Sequence, residues 1–301
     1  MAISEALAIE RLGQDDVGAG LALSDAAGWN QTADDWAFFI AAGECHGMRD
    51  EAGRLVATAA ALPYDARTGW VSMVLVDAAH RHRGIATRLV DVCVASLESE
   101  ARTPVLDATP AGAAVYARSG FVAGFAFERW ERFGAAGEVE GSGAGSGRSR
   151  ALPAAEGEAA GAGAHALDAE AAALVSALDR AASGIDRSAF WRAVLARRST
   201  RAWSTPGGDG IAVRRAGRRA TQLGPIVAAR SSDALDLLAA ALADLPDAVF
   251  IDVPVHCSEI AHELARRGFA RQRSFVRMAR GDERAAAARE RVFALAGPEF
   301  G

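Results

Sequence analysis

The stretch Val71–Leu89, VSMVLVDAAHRHRGIATRL, decides how the first half of this chain is read. It starts as an apolar strand, passes through a basic loop and opens at Gly84 into a helix. That helix carries a one-sided stripe of Ile85, Leu89, Val92, Cys93 and Leu97. The free amides of a helix start, with the positive end of its dipole, make a site for an anion such as a pyrophosphate. Gly84 lets the backbone approach phosphate oxygens, Ala86 is too small to obstruct them, and Arg81 and Arg83 add charge-assisted contacts. A solvated helix cap would carry the same few residues, so the loop alone does not decide function.

On the N-terminal side of this unit, Leu7–Leu12 reads as a strand, and Asp15–Ala27 and Thr32–Ala42 as helices, with Thr32 an N-cap. Glu44–Met48, Arg54–Leu62 and Trp70–Val76 read as strands separated by turns. On its C-terminal side come the strand Val105–Thr109, a helix opened by Thr109 and Pro110 and ended at Gly120, and paired strands within Phe121–Phe133. Residues 134–166 are rich in Gly, Ala, Ser and Glu, show no apolar period, and read as a flexible linker. The expected domains are therefore 1–133 and 167–301. The second repeats the rhythm strand–helix–strand–helix–Gly-Phe–strand in weaker form. Leu174–Leu178 is a strand or a helix start; Ser188–Arg197, Ser232–Asp244 and Ser258–Arg267 are helices; Leu223–Ala229, Ala248–Val253 and Phe269–Ala279 are strands.

Arg81-His82-Arg83-Gly84-Ile85-Ala86 fits an (Arg/Gln)-x-x-Gly-x-(Gly/Ala) pattern, and Ala113–Phe121 places Tyr116 on a helix before Gly120-Phe121. Together, at this spacing and in this element order, they resemble the GCN5-related N-acetyltransferase (GNAT) superfamily. The second half is similar to the degenerate acetyltransferase-type domain of tandem members, through Leu223–Val227, Phe250–Pro254, Arg267-Gly268-Phe269 and Phe275–Met278. The resemblance implies an α/β (α+β) fold of two such domains, each a mixed, mostly antiparallel sheet flanked by helices. It implies acetyl-CoA as co-substrate, with the pantetheine arm along Val74, Leu75 and Val76. The pyrophosphate would lie on backbone amides of His82 to Thr87, and Tyr116 would act as general acid toward the departing thiolate. No counterpart of the arginine–glycine loop follows Val227, so the second half is not expected to bind the co-substrate.

Attack of an amine on a thioester needs a proton acceptor, a donor for the leaving group and a polarising group at the carbonyl oxygen, which a strand-end amide supplies. Many relatives carry a Glu on the strand before the loop, but Trp70–Val76 has no acid. Asp107 is then the carboxylate candidate for the base. A strand-end cap is an equal reading of Asp107, and a water relay or an amine arriving neutral would also suffice. On the acceptor side, Trp29, Asn30 and Asp34, with Asp35 and Trp36, form a candidate cage for a cationic amine. Core packing around a helix start accounts for the same residues. His256, Cys257, Glu259 and His262 fit neither one helix face nor a common zinc spacing, so no metal is expected. Arg214–Arg219, RRAGRR, reads as a solvated loop or as a contact for acids.

The chain has 301 residues, half of them apolar and 24% charged, which is enough for two globular domains. Its net charge is −5, and all basic residues are arginines. That balance argues against nucleic acid or an anionic membrane as partner. The charge is −7 over 1–133, −2 over 134–166 and +4 over 167–301, which favours docking of the two halves on each other. Three scattered cysteines, a start without basic or long apolar character, and no membrane-length apolar run indicate a cytoplasmic protein. The function these features support is acetyl transfer to a small-molecule amine or peptide. A catalytically idle CoA-binding sensor or assembly module is the alternative, and a homodimer is compatible with either.

Overall fold

The structure is a computed structural model that describes residues 7–133, 150–151, 169–243, 245, 248–282 and 289–301. The first half runs β1 (Glu10–Arg11), α1 (Val17–Ala26), α2 (Ala33–Ala42), β2 (Glu44–Arg49), β3 (Leu55–Pro63), β4 (Thr68–Val76), α3 (Ile85–Ser99), β5 (Thr103–Ala108), α4 (Pro110–Arg118) and β6 (Val122–Arg132). The second runs β7 (Arg150–Ala151), α5 (Ala169–Ser183), α6 (Ser188–Leu195), β8 (Arg201–Ser204), β9 (Ile211–Arg215) and β10 (Thr221–Val227). It continues through α7 (Ser231–Leu242), β11 (Val249–Pro254), α8 (Ser258–Arg266), β12 (Ala270–Ala279) and β13 (Val292–Ala294).

Local chemistry explains the helix starts. Thr32 and Asp35 bond each other's backbone N–H in a capping box that opens α2. Thr109 accepts from the Gly112 amide at the start of α4, with Pro110 in the first turn. The apolar stripe of α3 lies buried: Ile85, Leu89, Val90, Cys93, Val94 and Leu97 face β3 and β4. Burial of each large aliphatic among them is worth about 1.5–3 kcal/mol.

All strands join one open sheet in the order β1-β2-β3-β4-β5-β12-β6-β11-β10-β9-β8-β7, with β13 on β10. Ladders are antiparallel except β4–β5 and β10–β11. Those two parallel pairs follow from the crossover helices α3 and α7, which return the chain in the same direction. The halves exchange strands at the centre. β12 enters the first half between β5 and β6, while β6 pairs with β11 of the second. Phe121–Phe133 is thus not a hairpin. It is one strand of 11 residues whose two neighbours both come from the other half.

Leu174–Leu178 belongs to the helix α5. Within the segment read as a linker, Arg150–Ala151 form β7 against β8, and the rest lies outside the described residues. Charge docks the halves as their opposite signs predict. Arg218 meets Asp25, Arg197 meets Asp35, Arg277 meets Asp107 and Arg271 meets Glu128. RRAGRR is therefore not a solvated loop: Arg215 is buried against Glu299, and Arg214 lies over the Trp203 ring. The last residues also pack into the first half, where Phe300 stacks on Phe39 at 4.9 Å between ring centroids. Among the described residues, no helix is long and apolar enough to cross a membrane.

Candidate functional site

β4 and β5 pair only from Thr68–Trp70 to Thr103–Val105, although β4 runs on to Val76 and β5 to Ala108. Beyond Trp70 the two strands splay, and the β5-facing main-chain groups of β4 have no partner in that strand. A bulge marks the departure. The β3–β4 register shifts between Thr58 and Ala60, opposite Met73, which sits at φ 49°. Thr58 Oγ1 donates to the Met73 carbonyl at 2.8 Å, fixing the kinked peptide.

The outer part of the splay is a groove of about 600 Å³. Val74, Leu75, Val76, Arg81, His82, Gly84, Ile85, Ala86 and Thr87 line it. Gly84 is the N-cap of α3 at φ 72°, a conformation that favours glycine, and it has no side-chain cap. The amides of Ile85, Ala86 and Thr87 lack intrahelical acceptors by position and remain available to an anion. A Cβ at Gly84 would meet nothing within 4 Å, so the mouth of the cradle is open. Arg81 Nε donates to the Val76 carbonyl at 3.1 Å. Arg83 departs from expectation: it donates to Ala79 O and lines a separate hollow with Arg49 and Arg88.

The inner part of the splay is a cavity of about 140 Å³. Trp29 and Val74 line both spaces and so mark where they meet. Tyr116 of α4 lines the cavity and packs edge-on against Phe121 at 6.2 Å. Burial pushes its hydroxyl up to about 12, so it keeps its proton at neutral pH.

Asp107 also lines the cavity, but both its oxygens accept from Arg277, at 2.8 Å each. Burial raises its pKa while Arg277 pulls the other way. The geometry favours the other reading of Asp107, a strand-end anchor: both oxygens are engaged by the buried Arg277, and the pair ties β12 to β5. Asn30 lines the cavity too, yet its amide is spent on docking. It donates to Ala220 O and accepts from the Arg219 and Ala220 amides. Asp34 is exposed on α2 and is not among the cavity's lining residues. Trp36 is buried and bonded to Ser24, and Asp35 is paired with Arg197, so the expected cage is not assembled. Of that group Trp29 and Asn30 line the cavity.

Sequence reading missed what the second half contributes. Phe250, Arg273, Phe275, Pro298 and Glu299 all line the cavity. Ser72 Oγ on β4 donates to the Glu299 carbonyl at 2.8 Å, and Trp70 Nε1 to that of Pro298 at 3.2 Å. An acid is thereby brought beside the strand that has none of its own. Glu299 Oε1 accepts from Arg215 at 2.5 Å, and Oε2 has no hydrogen-bond partner among the described residues. Gly297, at φ 126°, makes room for this: a Cβ there would come within 2.9 Å of the Glu299 carboxylate. No local motif signals a residue more than two hundred positions away from the strand it serves.

The second half splays in the same way, since β10 and β11 pair only from Thr221–Leu223 to Val249–Ile251. Pro225, with no N–H to donate, stands where they part. That opening is filled by the chain itself. β13 pairs with β10, and the Leu295 amide donates to Asp252 O. A Cβ at Gly224 would lie 1.9 Å from Leu295 O, so glycine is required for the plug to seat. Among the described residues, no group of three or more His, Cys, Asp and Glu side chains gathers as a metal site.

Residues 21–121 match a family model described as the acetyltransferase (GNAT) family, and residues 175–294 one described as an acetyltransferase (GNAT) domain. No curated protein matches the sequence. Solved structures share the fold. A candidate acetyltransferase from Pyrococcus horikoshii is 17% identical, with TM-score 0.76 over 100% of this chain and 98% of that one. A tandem GNAT protein from the clavulanic acid biosynthesis pathway is 19% identical, with TM-score 0.64 over 91% and 98%. A GNAT protein from Sphaerobacter thermophilus is 12% identical, with TM-score 0.57 over 93% and 96%.

Proposed function

We propose, for a chain that belongs to the GNAT acetyltransferase superfamily and carries two of its domains in tandem, that it transfers an acetyl group from acetyl-CoA to an amine held in the cavity between its halves. The observation that carries this reading is the groove with its open helix start, running into a cavity at Val74 and Trp29. The amides of residues 84–87 and Arg81 hold the diphosphate, and the free edge of β4 holds the pantetheine arm. The filled splay of β10 and β11 leaves the first half as the donor site.

In this reading the acceptor nitrogen forms a bond to the thioester carbonyl carbon, and the carbon–sulfur bond breaks. Glu299 Oε2 takes the proton released by nitrogen. The Tyr116 hydroxyl gives its proton to the departing sulfur and regains one from solvent. An amide of β4 at the Met73 bulge stabilises the charge that develops on the carbonyl oxygen. The idle-sensor alternative draws on the missing acid of β4; in the transfer reading Glu299 supplies that acid from the other half.

Calorimetry with acetyl-CoA, followed by measurement of CoA release over a panel of amines, tests the proposal. Binding together with amine-dependent release is expected. Binding without release for every amine would leave the sensor, and absence of binding would overturn both.

A further inference from the structure

The charge lining the cavity is uneven. Arg129 on β6 and Arg273 on β12 are register partners across adjacent strands, and both line the cavity. Like charges directly opposite one another are destabilising unless an anion lies between them. Asp252 pairs directly with Arg129 and reaches Arg273 only through space. It takes Nε and Nη2 of Arg129 at 2.8 and 2.7 Å, and it also accepts from Gln222. Arg129 Nη1 is left without an acceptor among the described residues. Arg273 makes no ion pair there; its hydrogen bond runs from Nε to Gln272 Oε1 at 2.9 Å, leaving both terminal nitrogens free. The remaining acids of the wall are committed elsewhere, Asp107 to Arg277 and Glu299 Oε1 to Arg215. Arg273 is an exposed residue whose charge is only partly desolvated; that desolvation and the neighbouring Arg129 lower its pKa, opposed by Asp252 and Glu131. Apolar rings back both guanidinium groups: Arg129 lies 5.1 Å from the Phe250 ring centroid and Arg273 6.0 Å from that of Phe275.

We propose that the acceptor is an amine bearing a carboxylate, an amino-acid-like compound whose anionic end lies on Arg129 and Arg273 while its nitrogen lies toward Glu299. The inference rests on the acetyl-transfer reading and adds the class of acceptor to it. A planar carboxylate suits two guanidinium groups that offer free N–H donors. Arg273 is then the residue that sets specificity, because both its terminal nitrogens are free of hydrogen-bond partners among the described residues.

The test uses the full chain and matched acceptor pairs: L-amino acids and their α-amides, compared by kcat/KM for CoA release. The acid of the preferred pair should exceed its amide by about ten- to hundred-fold, the worth of a charge-assisted contact. Arg273→Gln should collapse that ratio toward one, chiefly through KM, and Arg273→Lys should restore part of it. A merely structural role would depress both members equally and leave the ratio unchanged. An unchanged ratio in Arg273→Gln, or a ratio near one in the native protein, overturns the proposal. If acetyl-CoA binds but no amine releases CoA, the transfer reading fails separately. N-acetyl amino acids are then titrated against their N-acetyl amides on the CoA-loaded protein. Preference for the acid that Arg273→Gln abolishes supports the anion site, and equal affinity refutes it.

Discussion

Replacing Glu299 by Gln separates chemistry from scaffold. The amide oxygen of Gln can still accept from Arg215, so the bond at Oε1 survives while its charge assistance is lost. A hydrogen bond to a charged partner is worth about 1.5–3 kcal/mol and a neutral one about 0.5–1.5 kcal/mol, so the fold should lose about 1–1.5 kcal/mol. Arg215 keeps a second carboxylate nearby, Asp35 Oδ2 at 3.7 Å, which limits the cost to this buried charge. At this chain length the melting temperature should fall by about 2–6 °C. A positioned general base contributes about 10²- to 10⁴-fold, and kcat should fall by that order. The assay is steady-state CoA release at saturating acetyl-CoA, with the donor dissociation constant measured in parallel. Gly297→Ala provides an independent probe, because its Cβ displaces the same carboxylate without altering its chemistry. Turnover within about threefold of native in Glu299→Gln, with the fold intact, would refute the assignment of the base.

Tyr116→Phe should lower turnover by about 10- to 1,000-fold with acetyl-CoA affinity kept, since the hydroxyl serves the leaving group and not the donor's diphosphate. Burial raises the Tyr116 pKa from 10 to about 12, so the stability linked to that proton is whole below pH 10 and is lost as pH climbs toward 12. Denaturation midpoints across that window should decline less in the Phe variant. Gly84→Glu forces a side chain onto φ 72° and a negative charge into the cradle, and calorimetry should find acetyl-CoA binding abolished. Asp107→Asn leaves the buried Arg277 without a counter-charge and should cost about 3–5 kcal/mol of stability. The fraction that folds at reduced temperature should retain turnover within an order of magnitude, whereas a base at this position would lose two or more.

The groove at the start of α3 was legible because it is local. A strand, a turn and a helix start within Val71–Leu89 carry their own geometry, and Gly84 alone supplies the left-handed conformation at the cap. Arg83 shows the limit of such reading: two arginines flank one turn, and the chain's twist sends only Arg81 to the groove. Asp34, Asp35 and Trp36 were adjacent in sequence and were separated by helical period. Asp34 faces outward, while Trp36 and Asp35 face the core.

What the sequence determined by itself is the class of fold, the caps of its helices and the open helix start at Gly84, all of which arise from contacts a few residues apart. What only the tertiary structure decided is the cavity between the halves. Its walls are β4, β5 and α4 from one half, with β11, β12 and the segment around Glu299 from the other, joined by an exchange of strands at the centre of the sheet. Backbone ladders are indifferent to which half supplies a strand, so no local signal in Phe121–Phe133 or Phe269–Ala279 names its partner. The choice is made by the buried pairs Asp107–Arg277 and Arg129–Asp252, in which each half supplies the charge that the other must neutralise.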